Sequence, residues 1–183
     1  MRIVAGIWRG RALTAPAGTV TRPTADRVRQ ALFDMLLHAP WAGRACVEGA
    51  VVLDLFAGTG AMGLEALSRG AARAVFVEQD RAALAALRAN IAACRAEDRC
   101  QVLAIDVSRL PAGEAATLVF LDPPYGMGLV GATLVRLRSV GRIAPGALVV
   151  AETGRDEPAP DVDVDALAER THGAARVTIW REG

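Results

Sequence analysis

Apolar and polar positions change their period several times along the chain, and these changes predict alternating strands and helices. Short apolar runs predict five buried strands, over residues 51–56, 74–77, 101–105, 118–121 and 147–151. Apolar residues at helical spacing predict the intervening helices, over about 61–69, 81–94 and 129–140. Strands that alternate with helices are typical of a parallel sheet covered on both faces, so the sequence predicts an α/β fold.

The two ends of the chain predict different elements. Residues 1–23 alternate polar and apolar positions around turn residues, which indicates a short β-hairpin arm. Thr24 is predicted to cap the helix that follows the arm. Near the other end, a Thr171-His172-Gly173 turn lies between 165–170 and 176–180, which predicts a closing antiparallel hairpin. We expect one domain over 1–183, consisting of the arm and a core over 24–183.

Acidic residues follow four of the predicted strands. They are Glu78, Asp106, Asp122 and Glu152. The carboxyl ends of parallel strands meet at one edge of an open α/β sheet, and ligands bind at that edge. We therefore expect a ligand site lined by these acids.

A glycine-rich turn follows the first predicted strand. Gly58, Gly60 and Gly63 have the spacing of a nucleotide-binding loop, and Glu78 lies 20 residues after Gly58. A carboxylate at that position can accept hydrogen bonds from ribose hydroxyls. Asp54, on the strand before the glycines, favours a cationic ligand group such as the ammonium of S-adenosylmethionine over a nicotinamide.

A second turn, Asp122-Pro123-Pro124-Tyr125, follows another buried strand. Its two prolines make the turn rigid and leave backbone carbonyls available as acceptors. A fixed carboxylate, such carbonyls and the Tyr125 ring suit a planar base that carries an exocyclic amine. If Asp122 and the Pro123 carbonyl accept the two N–H bonds of the amine, its lone pair is directed at a methyl donor. Asp122 then stabilises the positive charge that develops on nitrogen.

Composition excludes several classes of protein. Of the 183 residues, 52% are hydrophobic and 22% charged, which provides a core that needs no disulfide or structural metal. The three cysteines form no CxxC pair, and His38 and His172 have no partner at ligand spacing, so we expect no metal site. No apolar run approaches the roughly 20 residues of a membrane span, and residues 1–6 lack the apolar stretch typical of a secretory signal. We expect a cytoplasmic protein that does not contact membranes.

The charge is unevenly distributed. All basic residues are arginine; residues 1–44 hold seven of them and two acidic residues, whereas the remainder holds 14 arginines and 18 acidic residues. A basic arm on a mildly acidic body is typical of proteins that bind nucleic acid. The candidate RNA contacts are Arg2, Trp8, Arg9, Arg11, Arg22, Arg27 and Arg29.

Asp54–Gly60 resembles motif I of S-adenosylmethionine-dependent methyltransferases. The Asp122–Tyr125 turn resembles motif IV, Asp/Asn-Pro-Pro-aromatic, of amino methyltransferases. With segments 2–11, 22–33 and 53–71, these motifs resemble the bacterial ribosomal small subunit methyltransferase D family, which methylates N2 of one guanine in 16S rRNA. Mild departures are Ala5, Gln30 and Asp34, where glycine, glutamate and asparagine are usual.

The resemblance implies a Rossmann-like class I methyltransferase fold, with a mostly parallel sheet, a C-terminal antiparallel hairpin and a basic β-hairpin arm. It implies S-adenosylmethionine as cofactor and S-adenosylhomocysteine as product. The implied partner of this monomeric enzyme is 16S rRNA in the assembled or nearly assembled small ribosomal subunit. The expected catalytic residues are Asp122, Pro123 and Tyr125. The expected cofactor contacts are Asp54, Phe56, Ala57, Gly58, Gly60, Glu78, Gln79, Asp106 and Val107.

Three alternatives stay open from the sequence. The first is an amino methyltransferase with another target, either adenine N6 of DNA or RNA or a protein glutamine, although Asp122 in place of asparagine disfavours glutamine. The second is a nicotinamide-dependent oxidoreductase, which Asp54 and the Asp122–Tyr125 turn disfavour. The third is a non-catalytic RNA-binding module, which the intact turn disfavours.

Overall fold

Seven strands form one sheet in the computed structural model, which describes residues 1–16, 23–158 and 165–183. In chain order the strands are β1 (Val51–Leu55), β2 (Arg73–Val77), β3 (Cys100–Leu103), β4 (Ala116–Leu121), β5 (Ile143–Gly154), β6 (Ala166–His172) and β7 (Ala175–Arg181). Their order across the sheet is β3-β2-β1-β4-β5-β7-β6. Strands β1 to β5 are parallel, and β7 runs antiparallel between β5 and β6. The predicted parallel sheet with a closing antiparallel hairpin is confirmed.

Within the described ranges, four α-helices connect these strands or precede them. They are α1 (Pro23–His38), α2 (Ala61–Ser68), α3 (Arg81–Cys94) and α4 (Leu129–Ser139). The predicted cap at Thr24 is wrong, because α1 already begins at Pro23 and Thr24 lies in its first turn. Proline is favoured at the first helical position, where its missing N–H has no intrahelical partner to lose.

Helices cover both faces of the sheet, because successive residues of each central strand point to opposite sides. Val52 and Phe120 belong to the core formed with α1, α2 and α3, whereas Leu53 and Val119 belong to the core formed with α4. A one-turn helix, Val107–Arg109, completes the second layer. No helix in the described ranges is both long enough and apolar enough to cross a membrane.

The N-terminal arm is a short hairpin that packs on the body of the protein. Arg2 and Ala12 form an antiparallel bridge, and the Ile3 N–H donates to the Arg11 carbonyl at 2.9 Å. Ile3 and Leu13 are buried in the core shared with α1, α2 and α3. The predicted hairpin is therefore present over residues 1–13, and the apolar side chains of the arm hold it in place.

The buried carboxylate of Glu65, on α2, joins the arm to the helices beneath it. Its oxygens accept hydrogen bonds from the backbone N–H of Val4 (2.8 Å) and Ala5 (3.0 Å). They also accept from Nε of Arg69 (2.8 Å) and Nε of Arg29 (3.4 Å). A buried carboxylate requires such partners, because an unpaired charge in the interior costs several kcal/mol.

Gly63→Ala tests how tightly α2 packs on the sheet. A Cβ at Gly63 would lie 2.4 Å from Cε1 of the buried Phe76 ring. We expect a loss of about 1–3 kcal/mol in the free energy of unfolding, measured by urea denaturation. Gly131→Ala is the control, because nothing lies within 4 Å of its Cβ in α4 and alanine there should stabilise by about 1 kcal/mol. Equal effects of the two substitutions would contradict the packing argument.

Candidate active site

Strand register brings the candidate residues to one edge of the sheet. Leu55 of β1 pairs with Val77 of β2 and Leu121 of β4, and Leu121 pairs with Ala151 of β5. The next residues along these four strands are Phe56, Glu78, Asp122 and Glu152. Three acids and one aromatic ring are thereby gathered from segments that are distant in sequence.

The glycine loop makes a sharp turn from β1 into α2. Phe56 has a φ of 58°, a left-handed conformation that is uncommon outside glycine and is found at functional sites. Gly60, with a φ of 77°, is the N-cap residue of α2 and has no side chain to cap it. Asp54 supplies the missing cap, because its Oδ2 accepts the Gly63 N–H at 2.9 Å.

Glu78 holds the loop from the neighbouring strand. Its Oε2 accepts the Gly58 N–H at 2.8 Å, and its Oε1 accepts the N–H groups of Gln79 and Asp80, each at 2.8 Å. The carboxylate is thus fixed in position. An ionised carboxylate offers about four acceptor sites, so Oε2 retains capacity for a further donor from a ligand.

Two cavities meet at Phe56 and Asp122. The first, of about 520 Å³, has apolar walls formed by Val77, Ile105 and Val107. Its polar side is formed by Glu78, Gln79, Asp80 and the Asp122–Tyr125 turn. The second, of about 430 Å³, extends from Asp54 and the glycine loop to α1 and Glu152. Their volumes are those of small-molecule sites, and their acids and apolar walls suit a ligand with a purine, a ribose and a cationic group. S-adenosylmethionine is such a ligand.

Acidic side chains are crowded where the two cavities meet, and burial and this crowding disfavour their charged forms. Burial raises the pKa of Asp54 to about 8, and the negative charges of Asp122 and Glu78 contribute to the rise, while the Gly63 hydrogen bond opposes it. Asp122 is open to the cleft on one side, yet surrounding protein displaces water from its carboxyl and raises its pKa, with Glu152 adding a like charge. The Tyr125 hydroxyl donates to Glu152, and burial together with this bond raises the pKa of Tyr125.

Most of the predicted cofactor contacts line one of the two cavities. Those that do are Asp54, Phe56, Ala57, Gly58, Glu78, Gln79 and Val107. Gly60 and Asp106 line neither one. Gly60 is buried beside Leu87, and Asp106 caps the Val107–Arg109 turn by accepting the Ser108 N–H at 2.7 Å. For all nine residues, ligand contact stays a prediction.

Two acids, Glu152 and Glu65, make contacts that the sequence does not indicate. Glu152 was expected at the ligand edge, but nothing in its local sequence indicates the contact with Tyr125, which depends on the pairing of β4 with β5. Glu65 carries a weaker signal still, since an acid in a helix is ordinarily exposed. Within the described part of the chain, no group of three or more His, Cys, Asp or Glu is arranged to hold a metal ion.

Comparison with known proteins supplies the family. The model of the family described as Conserved hypothetical protein 95 matches residues 1–181. The chain is 39% identical over 178 residues to ribosomal RNA small subunit methyltransferase D of Escherichia coli (strain K12), covering 97% of this chain and 86% of that protein. The chain belongs to the ribosomal RNA small subunit methyltransferase D family.

Solved structures agree with this membership. The E. coli protein yhhF superposes with a TM-score of 0.85 at 35% identity, over 100% of this chain and 97% of that one. The Thermus thermophilus 16S rRNA N2 G1207 methyltransferase (RsmC), in complex with AdoMet and guanosine, superposes with a TM-score of 0.68 at 26% identity, over 91% of this chain and 44% of that one. The predicted class I methyltransferase fold is confirmed, and the oxidoreductase and non-catalytic alternatives are set aside.

The arm and α1 of this family member present some of the predicted RNA-binding residues to solvent. Arg2, Arg9, Arg11 and Arg27 are exposed, although the Arg11 guanidinium also donates to the Ala93 carbonyl. Arg2 and Arg9 line a cavity of about 330 Å³ between the arm and α1. Arg22 lies outside the described residues.

Two members of the predicted RNA-binding set are held within the protein. Arg29 is buried against Glu65 and donates to Asp26 at 2.9 Å, so the expectation that it contacts RNA is corrected to a role in docking the arm. The general reason is that a buried guanidinium needs carboxylate partners and has no access to phosphate. Trp8 is half-buried, and the Arg99 guanidinium lies 5.0 Å from its ring centroid.

Gly6→Ala tests whether the arm needs its close approach to α2. A Cβ at Gly6 would lie 1.8 Å from the Ser68 carbonyl oxygen, whereas one at Gly10 meets nothing within 4 Å. Both glycines have a φ near 80°, so Gly10→Ala carries the same backbone strain without the clash. We expect trypsin to cut after the arm arginines much faster in Gly6→Ala than in Gly10→Ala. Mass spectrometry of the fragments over time measures the two cleavage rates. Equal cleavage rates would mean that the contact with Ser68 does not hold the arm.

Asp54→Asn tests the buried carboxyl through its pH dependence. Because the pKa of Asp54 rises from 3.8 to about 8 on folding, its contribution to stability is fully present below pH 3.8 and is lost as the pH rises through about 8. The free energy of unfolding of the wild type should therefore fall between about pH 4 and 8 relative to Asp54→Asn, by a few kcal/mol. Urea denaturation at a series of pH values measures this difference.

Asp106→Asn is the matched control for this experiment. The pKa of exposed Asp106 is lowered by its hydrogen bonds to Ser108, so its stabilisation is present above pH 3.8 and is lost only as the pH falls below that value. Asp106→Asn should leave the slope between pH 5 and 8 unchanged. A wild type and an Asp54→Asn variant with parallel curves over that range would refute the assignment.

Proposed function

We propose that this protein transfers a methyl group from S-adenosylmethionine to the exocyclic N2 amine of a guanine in 16S rRNA. The observation that carries the proposal is the Asp122–Tyr125 turn, which stands where the two cavities meet, in a chain of the ribosomal RNA small subunit methyltransferase D family. The similarity to a 16S rRNA N2 methyltransferase in complex with AdoMet and guanosine supports the same chemistry.

The residues at the sheet edge suit the three parts of S-adenosylmethionine. Glu78 would accept hydrogen bonds from the ribose hydroxyls through the remaining capacity of Oε2. Asp54 would pair with the ammonium group, and Phe56, Ile105 and Val107 would enclose the adenine. Bound in this way, S-adenosylmethionine supplies a methyl group on a positively charged sulfur.

Asp122 and Pro123 prepare the target amine. An exocyclic amine on a purine is a poor nucleophile, because its lone pair is delocalised into the ring. When the Asp122 carboxylate and the Pro123 carbonyl accept its two N–H bonds, a pyramidal nitrogen with a directed lone pair is favoured. As the bond from nitrogen to the methyl carbon forms and the sulfur–methyl bond breaks, the Asp122 carboxylate stabilises the positive charge that develops on nitrogen, and it can accept the proton that the nitrogen loses after the transfer. Stacking on Tyr125 would contribute about 1–3 kcal/mol to binding of the base.

The arm and the first part of α1 provide the RNA-binding surface in this proposal. Arg2, Arg9, Arg11 and Arg27 are exposed and can neutralise phosphates. Residues 1–183 would act as one domain and as a monomer on an assembled or nearly assembled small subunit in the cytoplasm. A structured target of this kind makes a separate recognition domain unnecessary, because the surrounding RNA and protein position the guanine.

Asp122→Ala tests the proposal directly. Small ribosomal subunits from cells that lack this gene are incubated with the protein and methyl-labelled S-adenosylmethionine, and the rRNA is digested to nucleosides. We expect label in N2-methylguanosine with the wild type and a rate at least about 100-fold lower with Asp122→Ala, because the positioned charge is lost. Asp122→Asn should retain more activity, since the amide oxygen still accepts one hydrogen bond.

Glu169→Gln, on the exposed face of β6, is the control that removes a carboxylate outside both cavities. It should methylate at the wild-type rate. Label in methyladenine instead of N2-methylguanosine would show that the protein transfers methyl groups, and it would overturn the assignment of guanine as the target base. An active Asp122→Ala variant would overturn the proposed role of the turn.

A further inference from the structure

Glu152 is an acid at the site to which the proposed reaction assigns no task. It follows Ala151, whose register partner is Leu121, so Glu152 and Asp122 stand side by side at the sheet edge and line the same cavity. The Tyr125 hydroxyl donates to Oε1 of Glu152. Among the described residues, Oε2 of Glu152 receives no hydrogen bond and is therefore available to a ligand in the cavity.

The hydrogen-bond donors of a guanine exceed the acceptors that the proposed reaction provides. The exocyclic amine carries two N–H bonds, which occupy the Asp122 carboxylate and the Pro123 carbonyl. The ring N1–H lies directly beside the amine and needs an acceptor of its own. Enclosing that donor in a cleft without a partner would weaken binding substantially, since the hydration of the N–H is lost.

The position of Glu152 makes it the best-placed acceptor for the ring N1–H. The other carboxylate that lines this cavity with Asp122 is Asp54, whose Oδ2 accepts a hydrogen bond from the Gly63 N–H beneath the glycine loop. Asp54 therefore lies on the side assigned to the cofactor, whereas Glu152 is adjacent to Asp122 on the side away from β1. Its hydrogen bond from Tyr125 also connects it to the ring on which the base would stack.

We propose that Glu152 accepts the N1–H of the target guanine and thereby makes the site select guanine over bases whose corresponding ring nitrogen carries no hydrogen. The inference rests on the proposed function. At that position, adenine and 2-aminopurine present a lone pair, which a carboxylate repels. Guanine presents a donor, and a hydrogen bond between a donor and an ionised acceptor is about twice as strong as one between neutral groups.

Two nucleosides and one variant separate this contact from the rest of the site. Guanosine and 2-aminopurine riboside both carry the exocyclic amine, but guanosine alone has the N1–H and the O6 carbonyl. Glu152→Gln isolates the N1–H contact, because any preference that depends on O6 persists in the variant. Each is used as a competitor of methyl transfer to small subunits that lack the modification. With the wild type, we expect guanosine to compete at least about 10-fold more strongly than 2-aminopurine riboside. With Glu152→Gln, the ratio should fall well below the wild-type value, because an amide can either accept from N1–H or donate to a bare nitrogen.

Two further variants distinguish recognition from positioning of Tyr125. Tyr125→Phe removes the hydroxyl and leaves the Glu152 carboxylate, so the preference for guanosine should persist even if both nucleosides bind more weakly. Glu169→Gln should keep the wild-type ratio, because Glu169 lines neither cavity.

The outcomes separate this inference from the proposed function. A Glu152→Gln variant that keeps the wild-type preference would overturn the inference, as would a wild type with which guanosine does not compete. Loss of the preference in Tyr125→Phe as well would assign the effect to the position of the ring and would also overturn it. The proposed function fails on a different measurement, namely the absence of N2-methylguanosine from the labelled rRNA.

Discussion

Parallel pairing of β1 with β2 and β4, and of β4 with β5, determines where the ends of these strands lie, and the whole site depends on that alignment. Each strand is buried on both faces, so slipping the register by one residue would move apolar side chains such as Leu53 and Phe120 to the wrong core. The acids at the strand ends are consequently held side by side by the same packing that stabilises the sheet. The chemistry of the edge is thus a consequence of core formation.

The glycine loop transmits this alignment to the ligand-binding surface. Asp54 caps α2 through Gly63, and Glu78 holds Gly58 from the neighbouring strand, so two carboxylates that face the cavities also maintain the backbone around them. The pKa of Asp54 rises to about 8 in this position, because burial disfavours the charged form of a carboxyl that the protein keeps poorly solvated at the site. A cationic ligand group next to Asp54 would pair with its carboxylate and offset the free-energy cost of burying the charge.

The arm depends on a different buried acid. Glu65 accepts hydrogen bonds from the backbone of Val4 and Ala5 and pairs with Arg29, so arm, α1 and α2 share one network. Ile3 and Leu13 add apolar burial to this attachment. The arm is therefore part of the folded body, and its exposed arginines are presented from a fixed position. Phosphate contacts made from a fixed surface lose less conformational entropy than those made by a free tail.

The sequence by itself was sufficient for the order of strands and helices, the glycine loop and the Asp122–Tyr125 turn, because periodicity, turn residues and short motifs are local properties. It was insufficient to predict that Arg29 and Glu65 are buried together and that Glu152 contacts Tyr125. A charged residue in a helix or at a strand end looks the same in sequence whether it faces solvent or a partner, and the partners here lie up to 61 positions away, as for Glu65 and Val4. The cap at Thr24 failed because α1 begins one residue earlier, at Pro23. Only tertiary packing brings such residues together and decides which charges are buried, which hold the fold and which remain available to a substrate.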